Sequence, residues 1–224
     1  MVQIYKVFIK NFFILIRDCP NKTSLEDFSL LSSSFLDSKF FKNQNDIKRI
    51  SSIELLMEHL NYNSYSLTHN VFLSSKNSHI NFNNFKKNFS FIISAGGVVL
   101  NEKDEILMIY KNNIWDLPKG KKDNFESDVI AAIREVQEET NVRIHDVKDV
   151  SFSTYHIYSC ANKLYKKNMI LKETRWFLMY ASSQEKLIPQ FEESIQNVAW
   201  FSRSQLKGLN IYSSLKSVFN HFLN

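Results

Sequence analysis

A chain of 224 residues and 26.4 kDa has room for one large domain or two modest ones. Hydrophobic and charged shares of 44% and 23% exclude a disordered or fibrous chain, and 4 Gly with 3 Pro exclude collagen-like or Pro-rich architecture. The net charge of +5 suits a polyanionic ligand as well as a plain basic surface.

Two cysteines, Cys19 and Cys160, are too few for a disulfide scaffold and point to a reducing, cytoplasmic setting. The apolar run Phe12-Phe-Ile-Leu-Ile16 is five residues long, with Lys6, Lys10 and Arg17 around it. That is too short for a secretory core or a membrane span, so a soluble chain without a membrane partner is expected.

In chain order, Gln3–Ile9 and Phe12–Ile16 read as two strands of a hairpin around Lys10-Asn11, Asn being tolerant of positive φ. Residues 22–50 give no clear pattern. Ser51-Ser-Ile-Glu54 has the spacing of a capping box and predicts a short helix over 52–60. Tyr65–Leu73 reads as a strand, and the Asn-, Ser- and Lys-rich stretch 74–88 as a linker with at most a short helical turn. These elements predict a small α+β unit over 1–88.

From residue 89 the pattern changes, and a second domain is expected over 89–224. Phe91–Leu100 and Glu105–Tyr110 are strand-like, joined by a turn over 101–104. A polar loop follows Gly120, and a helix is predicted over 127–140. Further strands are expected at 150–160, 171–181 and 196–202, and a C-terminal helix over 204–223, broken near Gly208. This order predicts an α/β or α+β layered domain.

The helix at 127–140 carries the chemistry. At 100° per residue, Val129, Ile133, Val136 and Thr140 form a stripe expected to face the core. Asp128, Glu135, Glu138 and Glu139 fall on the other side, flanked by Ala131 and Ala132. Glu135, Glu138 and Glu139 stand at i, i+3 and i+4, where like charges repel unless cations compensate. Such hard oxygen donors suit Mg²⁺ or Mn²⁺ and, through the metal, phosphate. A solvated acidic face is the bland alternative. Against it stands the preceding loop, with a tight turn expected at Gly120 and with Lys119, Lys121 and Lys122 beside it.

Gly120, five residues, Glu126, seven residues and Arg134-Glu-Val-Gln-Glu-Glu-Thr-Asn-Val142 resemble the Nudix box. The Ala95-Gly-Gly-Val-Val99 strand and the Trp115-Asp-Leu-Pro-Lys-Gly120 approach are similar to the same family, and the resemblance covers about 89–205. Asn141 stands where the box has its last Gly, as the next-best residue for a left-handed helix cap. The resemblance implies an α/β/α sandwich with a mixed sheet, and hydrolysis of a phosphoanhydride with water and Mg²⁺, Mn²⁺ being a substitute. Carried over, it implies Glu138 and Glu139 as metal ligands, Glu135 as a further ligand or the base, and the Gly120 carbonyl as completing the shell. Arg134 and Glu126 become orienting partners. Glu192 and Glu193 stand where the family often has its base, with Glu135 as the rival. Lys119 is a candidate phosphate contact and Tyr158, beside Tyr155, a candidate base-stacking residue. His156, Trp115 and Trp200 are expected to pack.

The resemblance points to a nucleotide or other polyphosphate small molecule as ligand. No Pro stands among Tyr155-His-Ile-Tyr158, where the ADP-ribose subgroup has one. The Tyr, the Leu-Pro-Lys-Gly approach and the Leu171–Leu178 strand look more like the dinucleoside polyphosphate and diphosphoinositol polyphosphate hydrolases, and a dinucleoside polyphosphate is the first expectation. RNA 5′ ends are a second, without an aromatic-plus-basic nucleic-acid module to support them. A non-catalytic ligand-sensing or interaction module, with 1–88 as its effector part, is a third. Residues 1–88 are open to three roles: a dimer contact, a lid or a part in substrate selection.

Overall fold

The computed structural model describes residues 4–10, 12–18, 47–62, 70–75, 77–159 and 169–223. Asn11, Cys19, Cys160, residues 22–46 and the first part of the strand expected at 65–73 lie outside them. Two compact units divide the chain, Met1–Phe91 with Tyr155–Leu171, and Ile92–Thr154 with Lys172–Asn224. An expectation of two contiguous domains, 1–88 and 89–224, does not foresee the assignment of 155–171 to the first unit.

In the first unit, β1 (Ile4–Ile9) and β2 (Phe12–Asp18) form an antiparallel hairpin with Ile9 opposite Phe12. Lys10 takes the left-handed conformation at its turn, with φ 51°. β4 (Asn70–Ser75) lies parallel to both β2 and β3 (Ile47–Ile50), and α1 (Ile53–Tyr62) makes the crossover that a parallel pair requires. Ser52, rather than Ser51, caps α1, its Oγ accepting from the Leu55 amide at 3.3 Å.

The expected linker over 74–88 is instead largely a helix, α2 (Ser78–Lys86), capped by the Asn77 side chain, which accepts from the Ile80 amide at 3.0 Å. Its composition is that of a loop, but Ser78, Phe82 and Phe85 repeat at helical spacing and are buried. Val7, Ile9, Ile14, Ile16, Val71 and Leu73 pack against Leu56 and Leu60 of α1 and against both phenylalanines. The Tyr5 ring stacks on Phe82 at 4.0 Å.

The second unit is built on β5 (Ser90–Leu100), β6 (Ile106–Lys111), β9 (Asp146–Ser159), β10 (Met169–Tyr180) and β11 (Ile195–Phe201), in the order β11-β6-β5-β10-β9. The outer parts of β9 and β10 belong to the first unit, where Tyr155 and His156 pair in parallel with Val7 and Phe8 of β1. Two short strands, absent from the sequence expectation, complete the second unit. β7 (Ile114–Asp116) pairs with β6 and β8 (Lys119–Lys121) with β5.

Alternation along β5 and β6 gives each face its own core. Val99, Leu107 and Ile109 meet Ala131, Ala132 and Val136 of α3 (Asp128–Thr140), whereas Val98, Leu100 and Met108 meet Leu215 and Val218 of α4 (Ser213–Phe222). This is the expected layered sandwich, helix on either side of a mixed sheet. The C-terminal segment is a 3-10 turn at Gln205–Gly208 followed by α4. Among the described residues no helix is long and apolar enough to cross a membrane.

Candidate active site

The site is assembled in the second unit where β8 runs beside α3. Gly96 of β5 faces Lys119 of β8, and a Cβ at Gly96 would overlap the Pro118 carbonyl oxygen. The Gly97 amide donates to that same oxygen at 3.1 Å, so the Leu-Pro-Lys-Gly approach is drawn tightly onto β5. Gly120 is not the tight turn expected from the sequence: it lies within β8, and no glycine among the described residues has positive φ. It supplies space instead. The Glu135 carboxylate occupies the position that a Cβ at Gly120 would take.

Ser127 caps α3, its Oγ accepting from the Ile130 amide at 3.2 Å. Asn141 ends it in the expected left-handed conformation, φ 63°, its amide donating to the Gln137 carbonyl at 2.8 Å. The expected stripe does face the core: Val136 and Thr140 are buried, and Val129 and Ile133, partly covered, pack against it. Ala131, Ala132, Glu135 and Glu139 are buried as well. Two of the carboxylates on the acidic side, Glu135 and Glu139, are therefore withdrawn from bulk water, where the small Ala131 and Ala132 let α3 approach the sheet.

Glu139 is 4% exposed and accepts from the Lys119 amide at 2.8 Å. Burial pushes its carboxyl up to about 7, against the opposing charge of Lys119. Burial also raises Glu135, with Arg134 opposing and the charges of Glu138 and Glu193 adding to it. Arg134 is the hub: it grips Glu126 through Nη2 at 2.6 Å and Nε at 3.2 Å, and its Nη1 donates to Glu135 at 2.7 Å and Glu138 at 2.9 Å. The hydrogen bonds to Glu126 first, then those to Glu135 and Glu138, hold its guanidinium in the charged form against burial. Glu138 is half-exposed. Among the described residues, no three His, Cys, Asp or Glu side chains stand together as a ready-made metal site.

Cations surround the two buried carboxylates. Lys119 Nζ pairs with Asp116 at 2.7 Å; burial opposes its charge, but Asp116 and Glu139 outweigh it and raise its pKa. Glu193, in a 3-10 turn at Phe191–Glu193, pairs with Lys111 at 3.1 Å. Lys172 of β10 is missed by the sequence reading. Burial lowers its pKa to about 8, with Lys119 adding to the effect and Asp116 and Glu139 opposing it. Its only signal in the sequence is a lysine following the apolar start of a strand. Tyr158 is 40% exposed, on the part of β9 that belongs to the first unit. His156 is packed, its ring stacked on Phe8 at 5.4 Å.

Phe125, between β8 and α3, is fully exposed with φ 73°. A bulky side chain in that region costs about 1–2 kcal/mol, against about 0.5–1 kcal/mol for the chain freedom of a glycine. Phe125→Gly is expected to raise the thermal midpoint by roughly 1–4 °C. A calorimetric scan showing an unchanged or lower midpoint would contradict this account.

Residues 91–222 match the model of the NUDIX domain family. A curated relative, Nudix hydrolase 5 of Arabidopsis thaliana, is 36% identical over 76 residues, 31% of this chain. The chain covers 25% of that relative, so it spans about a quarter of its length. Among solved structures, a C. elegans Ap4A hydrolase binary complex is similar at TM-score 0.46 and 24% identity, over 58% of this chain and 94% of the other. The NUDIX domain of Shewanella oneidensis NrtR complexed with ADP ribose is similar at TM-score 0.45 and 15% identity, over 59% and 86%. Since the family model takes in more than half of its length, the chain belongs to the NUDIX domain family.

Proposed function

We propose that the chain is a divalent-metal-dependent pyrophosphohydrolase that cleaves a phosphoanhydride of a nucleotide, a dinucleoside polyphosphate being the first candidate. The observation that carries this reading is the pair Glu135 and Glu139. Both are buried on one face of α3, and burial raises both in pKa despite Arg134 and Lys119 beside them. Carboxylates held in that state are hard oxygen donors short of positive charge, which suits Mg²⁺ or Mn²⁺. Glu135 and Glu139 would hold such a cation, with the Gly120 carbonyl completing the set and Glu138 joining on release from Arg134. When bound, the ion neutralises phosphate oxygens and lowers the pKa of a water ligand.

The chain's own residues do the rest. Arg134 fixes the direction of the Glu135 carboxylate and anchors it to Glu126. Lys119, Lys111 and Lys172 supply positive charge for a chain of phosphates, Lys119 as a point charge held by Asp116. The proton acceptor is Glu192, Glu193 or Glu135. Glu193→Gln with unchanged kcat excludes Glu193 and leaves the other two, and a loss of about 10²-fold or more, in the usual range for a general base, favours Glu193.

Incubation with Mg²⁺ and a panel of dinucleoside polyphosphates, nucleoside triphosphates, ADP-sugars and 5′-triphosphorylated RNA tests the reading. The expected result is Mg²⁺-dependent release of nucleotide, fastest with a dinucleoside polyphosphate. Turnover of ADP-sugars alone would overturn the substrate class. Binding without turnover of any member would leave a sensing module in place of an enzyme.

A further inference from the structure

Asp128 stands 7 and 11 residues before Glu135 and Glu139, two and three full helical turns, so the three carboxylates share one stripe of α3. Their surroundings differ. Asp128 Oδ1 accepts from Lys122 Nζ at 2.8 Å, and Oδ2 accepts from Arg175 Nη1 of β10. Arg175 Nε also donates to Glu173 at 3.2 Å, and the same Glu173 oxygen accepts from Ser153 Oγ of β9 at 2.9 Å. Burial opposes the charge of Asp128, yet these cations hold its carboxyl below the usual range, the opposite of Glu135 and Glu139. Asp128 is thus neutralised by the protein itself, and its bonds run to the segment after β8 and to β10. At the other end of the stripe Glu139 is tied to the Lys119 amide of β8.

The geometry points to Asp128 and Arg175 as positioning residues, which fix the rotation of α3 about its axis and so aim Glu135 and Glu139 at a divalent cation. This rests on the metal-dependent reading above. Neither residue needs to touch the ligand. A helix free to turn by 10° would swing carboxylates some 6 Å from its axis by about 1 Å, a displacement able to cost about 10²-fold in rate.

The test uses the full chain and variants Asp128→Asn, Arg175→Gln and Arg175→Lys, with Mn²⁺ alone as the probe. Free Mn²⁺ is measured by electron paramagnetic resonance without nucleotide, and kcat and KM are measured separately. Asp128→Asn and Arg175→Gln are expected to weaken Mn²⁺ binding at least 5-fold and lower kcat about 10–100-fold, with KM within twofold and the protein still folded. Arg175→Lys, which keeps the charge, is expected to recover most of the Mn²⁺ affinity. Asp104→Asn removes an ion pair with Arg203, at 2.7 Å in the same unit but off the stripe, and should leave Mn²⁺ binding unchanged. Folded variants that bind Mn²⁺ and turn over like the wild type overturn the positioning role alone. A wild type that binds no Mn²⁺ and turns over nothing overturns the metal-dependent reading and this role with it. Should Asp128→Asn fail to fold, the two Arg175 variants decide the question by the same readings.

Discussion

Glu139→Gln is expected to abolish hydrolysis and, in the same stroke, to make the metal-free protein more stable above pH 7. The activity loss follows from removing a charged oxygen donor: several kcal/mol of charge stabilisation correspond to about 10³-fold or more in rate. The stability gain follows from the environment. Burial raises the carboxyl from 4.5 to about 7, so the folded state holds its proton more tightly than the unfolded state does. Below pH 4.5 the group is protonated in both states and costs nothing. Between pH 4.5 and 7 the unfolded chain gains by ionising, and above pH 7 the folded protein carries the full penalty, about 3 kcal/mol. Glutamine keeps an oxygen to accept from the Lys119 amide and carries no charge. Thermal midpoints in a chelator should therefore separate at pH 8, variant above wild type, and converge as the pH falls toward 4.5. A midpoint gap of the same size at both pH values would reject this origin of the penalty.

Gly120→Ala is expected to lose about 10²-fold in kcat with little change in stability. The added methyl group collides with the Glu135 carboxylate, the free end of a side chain that can swing aside. Folding tolerates that movement; the site does not. A displaced Glu135 loses its 2.7 Å bond to Arg134 and its alignment with Glu139. Urea unfolding and kcat measured on one preparation check both halves. A variant as active as the wild type would mean that Glu135 need not sit where it does.

Much of the second unit is legible in the sequence because its signals are local. The apolar runs at 91–100 and 105–110 and the Asn141 stop each report on their own few residues. The same holds for the i, i+3, i+4 spacing of Glu135, Glu138 and Glu139. What stays hidden depends on neighbours far along the chain. The helix pattern alone assigns Val129 and Ile133 to the core. The structure packs those two against the core and buries Glu135 and Glu139 as well, because β8 and the small side chains of α3 draw that flank inward. Gly120 reads as a turn because the sequence gives no hint that a carboxylate will fill its missing side chain. Lys172 and Arg175 acquire meaning only once β10 lies beside the site. In the first unit, three phenylalanines, Phe82, Phe85 and Phe89, define a helix and its exit inside a stretch whose composition says loop.

The interleaving of the two units in the chain has a consequence for biosynthesis. Ile157 and Leu171 complete the apolar core that Val7, Ile14 and Leu73 begin. Although most of its residues are translated first, that core stays open until the ribosome has passed residue 171. By then the whole of α3 has emerged, so the N-terminal portion must wait, partly unburied, for the C-terminal half to be made. Contacts this distant along a chain also slow folding from the unfolded state.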